Sequence, residues 1–256
     1  MNLARTAPAA AALDYKQLYV IGAAAALIQL AAILAYTVVI GMLGPMPSGA
    51  EAYFALQGAD RLGSVLRGDF LFLLLIGGYL GTFPALYVAL RPVSPLYAMF
   101  ATLFTLVAVT ICFASESTFA LQHLGDLYAA ATTEAQRAQL AAAGEAIIAA
   151  DLWHSSGAYV SGILLQGGGV IISLVMLRSA RFSKVTAVAG LLGNALDLTQ
   201  HVLHPFAPSL SAPIQMLMGP FYLVWFPMLA RDFRRLAARQ ASPAAKGGGL
   251  PDGVGL

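Results

Sequence analysis

Charge is scarce in this chain. Only 10% of its 256 residues are charged, while 59% are hydrophobic. No single soluble core can bury so large an apolar share, which excludes a soluble globular protein and makes the lipid bilayer the expected surroundings. Cysteine is rarer still: Cys112 stands alone inside an apolar run. An intrachain disulfide is therefore impossible, a thiolate-ligated metal is not expected, and Cys112 reads as a small core hydrophobe. Lysine occurs only at Lys16, Lys184 and Lys246, outside the apolar runs, which excludes a lysine Schiff base of the retinal type. There is no His-Glu-x-x-His, no Gly-x-Ser-x-Gly, no Walker loop and no dinucleotide fingerprint. The net charge is +2, and the basic residues gather at segment ends. That pattern suits orientation signals, and no nucleic-acid partner is expected.

What is present is length of apolar sequence. A helix crosses the hydrocarbon with about 20 apolar residues, and six segments qualify: 18–43, 70–90, 96–119, 152–177, 185–204 and 212–230. The first is too long for a signal-peptide core and is expected to be a membrane span. The expected fold is all-α, a polytopic membrane protein with a bundle of six transmembrane helices in one domain over 1–240. The stretch 241–256, with Gly247, Gly248 and Gly249, reads as a disordered cytoplasmic tail. Residues 50–66 form a short amphipathic stretch expected at the surface. Thr133 with Gln136 opens an Ala-rich helix with the pattern of a capping box.

Counting Lys and Arg in alternate loops gives eleven on one side, from Arg5 to Lys246, against Arg61, Arg67 and Arg137 on the other. Positive residues stay inside, so both termini are expected in the cytoplasm. Glycines recur in the second, fourth and fifth spans, where close helix packing uses them. Pro84, Pro220 and Pro227 each remove a backbone donor within a span and predict kinks.

With this topology all four histidines, His123, His154, His201 and His204, fall near helix ends on the extracytoplasmic side, beside Glu116, Asp151 and Asp197. Ionisable groups at membrane depth are costly, so such a gathering marks a candidate site. Asn194, Asp197, His201 and His204 are spaced by three, four and three and share one helical face. Imidazole and carboxylate are the ligands that zinc, iron or manganese prefer, and a catalytic site needs about three of them plus an open position. His154, Asp197 and His201 are the first candidates for a divalent metal, zinc foremost, with His123 or His204 next. Glu116, deepest in the third span, is the candidate catalytic base toward a metal-bound water. Each residue also has a structural reading. His123 and His204 suit the membrane interface, Asp151 suits a helix cap, and Asp197 with His201 suits a simple hydrogen-bonded pair.

The segment LWHSSGAYVSGILLQGGGVIISLVMLRSARF, followed by SKVTAVAGLLGNALDL, places a Trp-bearing fourth span before a Gly-rich middle, a short basic loop with serine and a Gly-rich fifth span. This layout resembles a bacterial family of six-helix membrane proteins classed only as a domain of unknown function. The resemblance implies the topology and a bacterial inner membrane, and it implies no activity. A looser similarity in chemistry is to membrane metal hydrolases of the alkaline ceramidase type, which gather His, Asp and Ser at one membrane face; those have seven helices and a His-x-x-x-His pair.

Three functions follow as expectations. The leading one is a metal-binding membrane protein, a hydrolase of a lipid-like substrate. The second is a small proton-coupled transporter relaying protons through Glu116, Asp197 and His201, although the cytoplasmic half offers few polar residues beyond Gln166 and Thr82. The third is a non-catalytic scaffold or assembly subunit whose polar groups pair off with one another.

Overall fold

The computed structural model describes residues 14–68, 70–150 and 155–241. Among the described residues there is no strand, and helices account for nearly all of them. In the order of the chain, α1 is Lys16–Leu43, α2 Ala50–Ala59, α3 Arg61–Arg67, α4 Phe70–Gly77 and α5 Tyr79–Leu90. Then follow α6 Pro95–Ser115, α7 Thr118–Ala130, α8 Glu134–Ala149, α9 Ser156–Leu177, α10 Lys184–Leu203 and α11 Ser211–Ala241.

Among the described residues, five stretches are long and apolar enough to cross a membrane: Lys16–Leu43, Phe70–Leu90, Pro95–Ala130, Ser156–Leu177 and Pro208–Gln240. The chain is therefore an all-α polytopic membrane protein. The remaining expected span, α10, is 20 residues long but is diluted by Asn194, Asp197, Gln200 and His201, all buried. It packs against α9 and α11, α6 packs on α9, and α1 lies along α11 and α5. The second expected span is two helices meeting at Gly78. There the fully buried Gln29 of α1 donates its Nε2 to the Leu75 carbonyl at 3.0 Å. Pro84 sits inside α5, and α11 continues as one helix through both Pro220 and Pro227.

The core of the bundle is aromatic and tightly filled. Trp225, Phe226, Phe233, Phe83 and Leu86 are almost wholly inaccessible. Tyr222 stacks on Phe226 with ring centroids 5.8 Å apart, and Phe233 stacks on Tyr19 of α1 at 6.3 Å. Outward-facing Val20, Leu34, Leu103, Val107 and Leu174 are exposed, as lipid-facing side chains must be when the solvent is hydrocarbon.

One end of the bundle is capped by the short helices. α2 packs on α7 and α8 through a second small core of Ala50, Tyr53, Phe54 and Leu121. Gln57 donates to the Gln122 carbonyl at 2.8 Å, and Arg61 forks onto Asp126 with both contacts at 3.1 Å. The Glu145 carboxylate accepts from the Ala50 amide at 2.7 Å, satisfying a donor in the first turn of α2. The capping box at α8 is present: Thr133 Oγ1 accepts from Gln136 N, and Gln136 Oε1 accepts from Thr133 N.

The opposite end is basic. Arg91 donates to the Tyr15 hydroxyl at 2.7 Å, and Arg181 donates to the Ala89 carbonyl at 3.0 Å. Here lies a buried acid that sequence reasoning did not single out, Asp232, which is 1% exposed. Its Oδ2 accepts from Ser183 N at 2.9 Å and from Thr186 Oγ1 at 2.6 Å, pinning the start of α10 to α11.

Candidate functional site

The polar stripe of α10 is real and faces the bundle interior. Asp197 is 8% exposed and His201 7%. A separation of four residues places them one turn apart. His201 Nδ1 lies 3.0 Å from the Asp197 carbonyl and 3.2 Å from Asp197 Oδ1. Both neighbours are oxygen acceptors, so Nδ1 carries a proton directed at Asp197. The second carboxylate oxygen is taken as well: the Tyr222 hydroxyl stands 2.9 Å from Asp197 Oδ2 and 3.1 Å from Gln166 Oε1. A phenol has one proton to give, and a carboxylate is the stronger acceptor. Three helices, α9, α10 and α11, thus contribute to one chain of contacts running His201, Asp197, Tyr222, Gln166.

The sequence explains why a polar stripe is tolerated here. The facing surface of α9 carries glycine opposite two of the buried polar groups of α10. The His201 ring lies against Gly162 and the Asn194 amide against Gly169, so closely that any side chain at either glycine would collide with it. Asn194 Nδ2 also donates to the Gly190 carbonyl of its own helix at 2.7 Å. Beside this layer, Cys112 of α6 donates to Ser161 of α9 at 3.3 Å, in keeping with its reading as a core residue.

Beyond Asp197 and His201, the expected residues that are described, His204, Glu116 and His123, are placed apart. His204 is half-buried one turn further along, its Nδ1 2.7 Å from Ser211 Oγ. It lines an open pocket of about 480 Å³ with Ser155, Ser156, Tyr159, Val160, Pro205 and Pro208. Glu116 lies in a different and smaller pocket, about 220 Å³, among Leu73, Phe113, Thr118 and Phe119. The reason is local: Glu116 has extended backbone, φ −74° and ψ 138°, so α6 stops at Ser115 and α7 starts afresh. That restart carries His123 into the cap, where it is exposed on α7. Asp151 and His154 lie outside the described residues, and the N-cap of α9 is Ser155, which accepts from Ala158 N at 3.1 Å. Among the described residues no group of three or more His, Cys, Asp or Glu side chains could hold a metal ion.

Two participants escaped the sequence reading. Tyr222 sits in the middle of an apolar run and has no spacing relation to Asp197, so nothing local marks it. Gln166 was visible as a polar residue amid apolar sequence, but not as part of this site.

Fold and site together define a polytopic α-helical membrane protein with a hydrogen-bonded acid–imidazole–phenol network inside its bundle. The chain belongs to the family of proteins sharing the domain of unknown function DUF4386, matched over residues 20–230. No curated protein and no solved structure matches it.

Proposed function

We propose that the protein is a proton-coupled membrane carrier in which the Asp197–His201 pair binds the proton. The observation that carries this reading is the network itself. A carboxylate and an imidazole share contacts inside a membrane bundle, a phenol extends them to a second helix, and a pocket large enough for a small solute opens one turn away at His204. Such groups inside membranes mark proton and ion pathways because their burial is otherwise too costly to retain. On this reading α10 is the sixth crossing. Its 20 residues span about 30 Å, the thickness of the hydrocarbon, and its polar face is sheltered by α9 and α11. The excess of Lys and Arg at the end opposite the cap supports a cytoplasmic location for both termini, in a bacterial inner membrane. A proton would then enter from the extracytoplasmic side past His204, reach His201 and Asp197, and change the hold of α10 on Tyr222 and Gln166.

The metal reading competes for the same residues. Asp197 and His201 would supply two ligands, a divalent ion such as zinc would need another, and a lipid-like substrate would have to reach it. A scaffold with no activity is the third alternative.

The test needs no knowledge of the solute. Protein reconstituted in a solid-supported membrane is given a pH jump, and the transient current of protons entering the bundle is recorded. A current in the wild type that disappears in Asp197→Asn and His201→Ala supports the carrier reading; no current, or one indifferent to both changes, refutes it. Elemental analysis of the same samples distinguishes the alternative, since near-stoichiometric zinc, iron or manganese lost in both variants would replace the proton with a metal.

A further inference from the structure

The basic end of the bundle carries more charge than its own contacts consume. Nine Lys or Arg of the described residues lie at that end, against two carboxylates, Asp14 and Asp232. Asp232 is buried and already engaged by Ser183 and Thr186, with Arg235 at 3.7 Å. Lys184 and Arg181 each donate to backbone carbonyls, of Leu177 and Ala89. Arg178, Arg234 and Arg239 are exposed, and none has an acidic partner among the described residues.

The geometry of α11 places these cations at a particular depth. Its 31 residues extend about 46 Å, well beyond the roughly 30 Å of hydrocarbon. The stretch from Ile214 to Ala230 contains no Asp, Glu, Lys or Arg, and Arg231 is the first charge after it. From there the helix is two-faced. Phe233, Leu236 and Ala237 are buried against the bundle, while Arg231, Arg234, Arg235 and Arg239 are exposed at spacings of three, one and four. A two-faced helix leaving the hydrocarbon with arginines on its outer side puts guanidinium groups at the level of the lipid phosphates. The loop between α9 and α10 adds Arg178 at the same end.

We infer that this end of the protein is a docking surface for anionic phospholipid headgroups, held by Arg178, Arg234 and Arg239. Guanidinium groups suit phosphate oxygens because their fork of donors matches two acceptors at once. The charge imbalance favours an anionic over a zwitterionic headgroup. The inference is independent of the carrier reading, since it uses none of the residues of the α9–α10–α11 network.

The test is native mass spectrometry of the full chain released from mixed micelles of phosphatidylglycerol and phosphatidylcholine. The wild type should retain phosphatidylglycerol well above its share of the mixture. The triple variant Arg178→Gln, Arg234→Gln, Arg239→Gln should lose most of this enrichment, at about fivefold for each cation removed. These side chains are exposed and have no acidic partner among the described residues, so the variant should keep its elution profile and helicity. Arg61→Gln with Arg137→Gln, at the capped end, is the matched control and should bind as the wild type does. Equal retention of the two lipids by the wild type, or undiminished enrichment in the triple variant, overturns the inference. So does complete displacement of the lipid by millimolar inorganic phosphate, which would make the surface a site for free anions. If the triple variant elutes as aggregate, raising the salt on the wild type serves instead: enrichment surviving at 1 M salt overturns the inference, and its loss supports it.

Discussion

Gly167, Gly168 and Gly169 are consecutive in α9, yet the same substitution at each should have a different effect, because successive residues of a helix point in directions about 100° apart. At Gly167 an added Cβ meets nothing within 4 Å. There Gly→Ala should stabilise by about 0.5–1 kcal/mol, the helix-propensity difference, with nothing to oppose it. At Gly168 the Cβ would stand 2.6 Å from Thr105 Oγ1 and 2.8 Å from the Ala101 backbone carbonyl oxygen. A hydroxyl can rotate away, but the carbonyl belongs to the α6 helix. Restoring an ordinary 3.4 Å contact moves α6 and α9 apart by about 0.6 Å. Overpacking of this kind costs about 1–3 kcal/mol, which outweighs the propensity gain. The propensity gain is common to both, so Gly167→Ala and Gly168→Ala should differ by the overpacking cost, about 1–3 kcal/mol, or a few degrees in the midpoint of thermal unfolding for a chain of this size. The assay is a thermal or SDS titration in mild detergent, followed by far-UV circular dichroism, with the wild type and both variants side by side. If Gly168→Ala is as stable as Gly167→Ala, or Gly167→Ala is the worse of the two, the α6–α9 packing described here is wrong.

Further expectations concern single contacts. Tyr222→Phe removes the hydroxyl from Asp197 Oδ2 and leaves a buried carboxylate oxygen short of a partner, so it should cost about 1–3 kcal/mol and alter the pH-jump current, whereas Tyr97→Phe at an exposed tyrosine should do neither. Asp232→Ala strands the Ser183 amide and leaves the Thr186 hydroxyl only Ser183 Oγ as a partner, and should destabilise by about 1–3 kcal/mol, with Asp232→Asn milder; denaturation midpoints in detergent compare the two. Thr133→Ala removes one half of the capping box and should cost about 1 kcal/mol locally, seen as faster amide hydrogen exchange in the first turn of α8 and unchanged exchange in α9.

Much of this protein is written along the chain, because the features concerned are one-dimensional. The apolar length of α1, α6 and α9 fixes them as membrane helices whatever they pack against, since a helix in lipid must satisfy its own backbone. The segregation of Arg178, Arg181 and Arg231 from Arg61 and Arg137 is likewise a property of order in sequence, and so is the capping box of α8, whose partners are three residues apart. The stripe of Asn194, Asp197, His201 and His204 was legible for the same reason, as it depends only on helical period.

What the stripe touches was settled by tertiary structure alone. Tyr222 lies 25 residues from Asp197 and 56 from Gln166, and only the packing of α9, α10 and α11 brings them within hydrogen-bond distance. The same packing set His201 over Gly162, kept Glu116 and His204 in separate pockets, and buried Asp232 beneath α10. Sequence spacing also suggested a third helix running from 96 to 119; the extended backbone at Glu116 ended it at Ser115 and turned His123 out into the cap. Local pattern determines which residues are polar and which face they share, but which of them meet depends on how the helices fill space around Trp225 and Phe226, where close packing leaves few alternative arrangements.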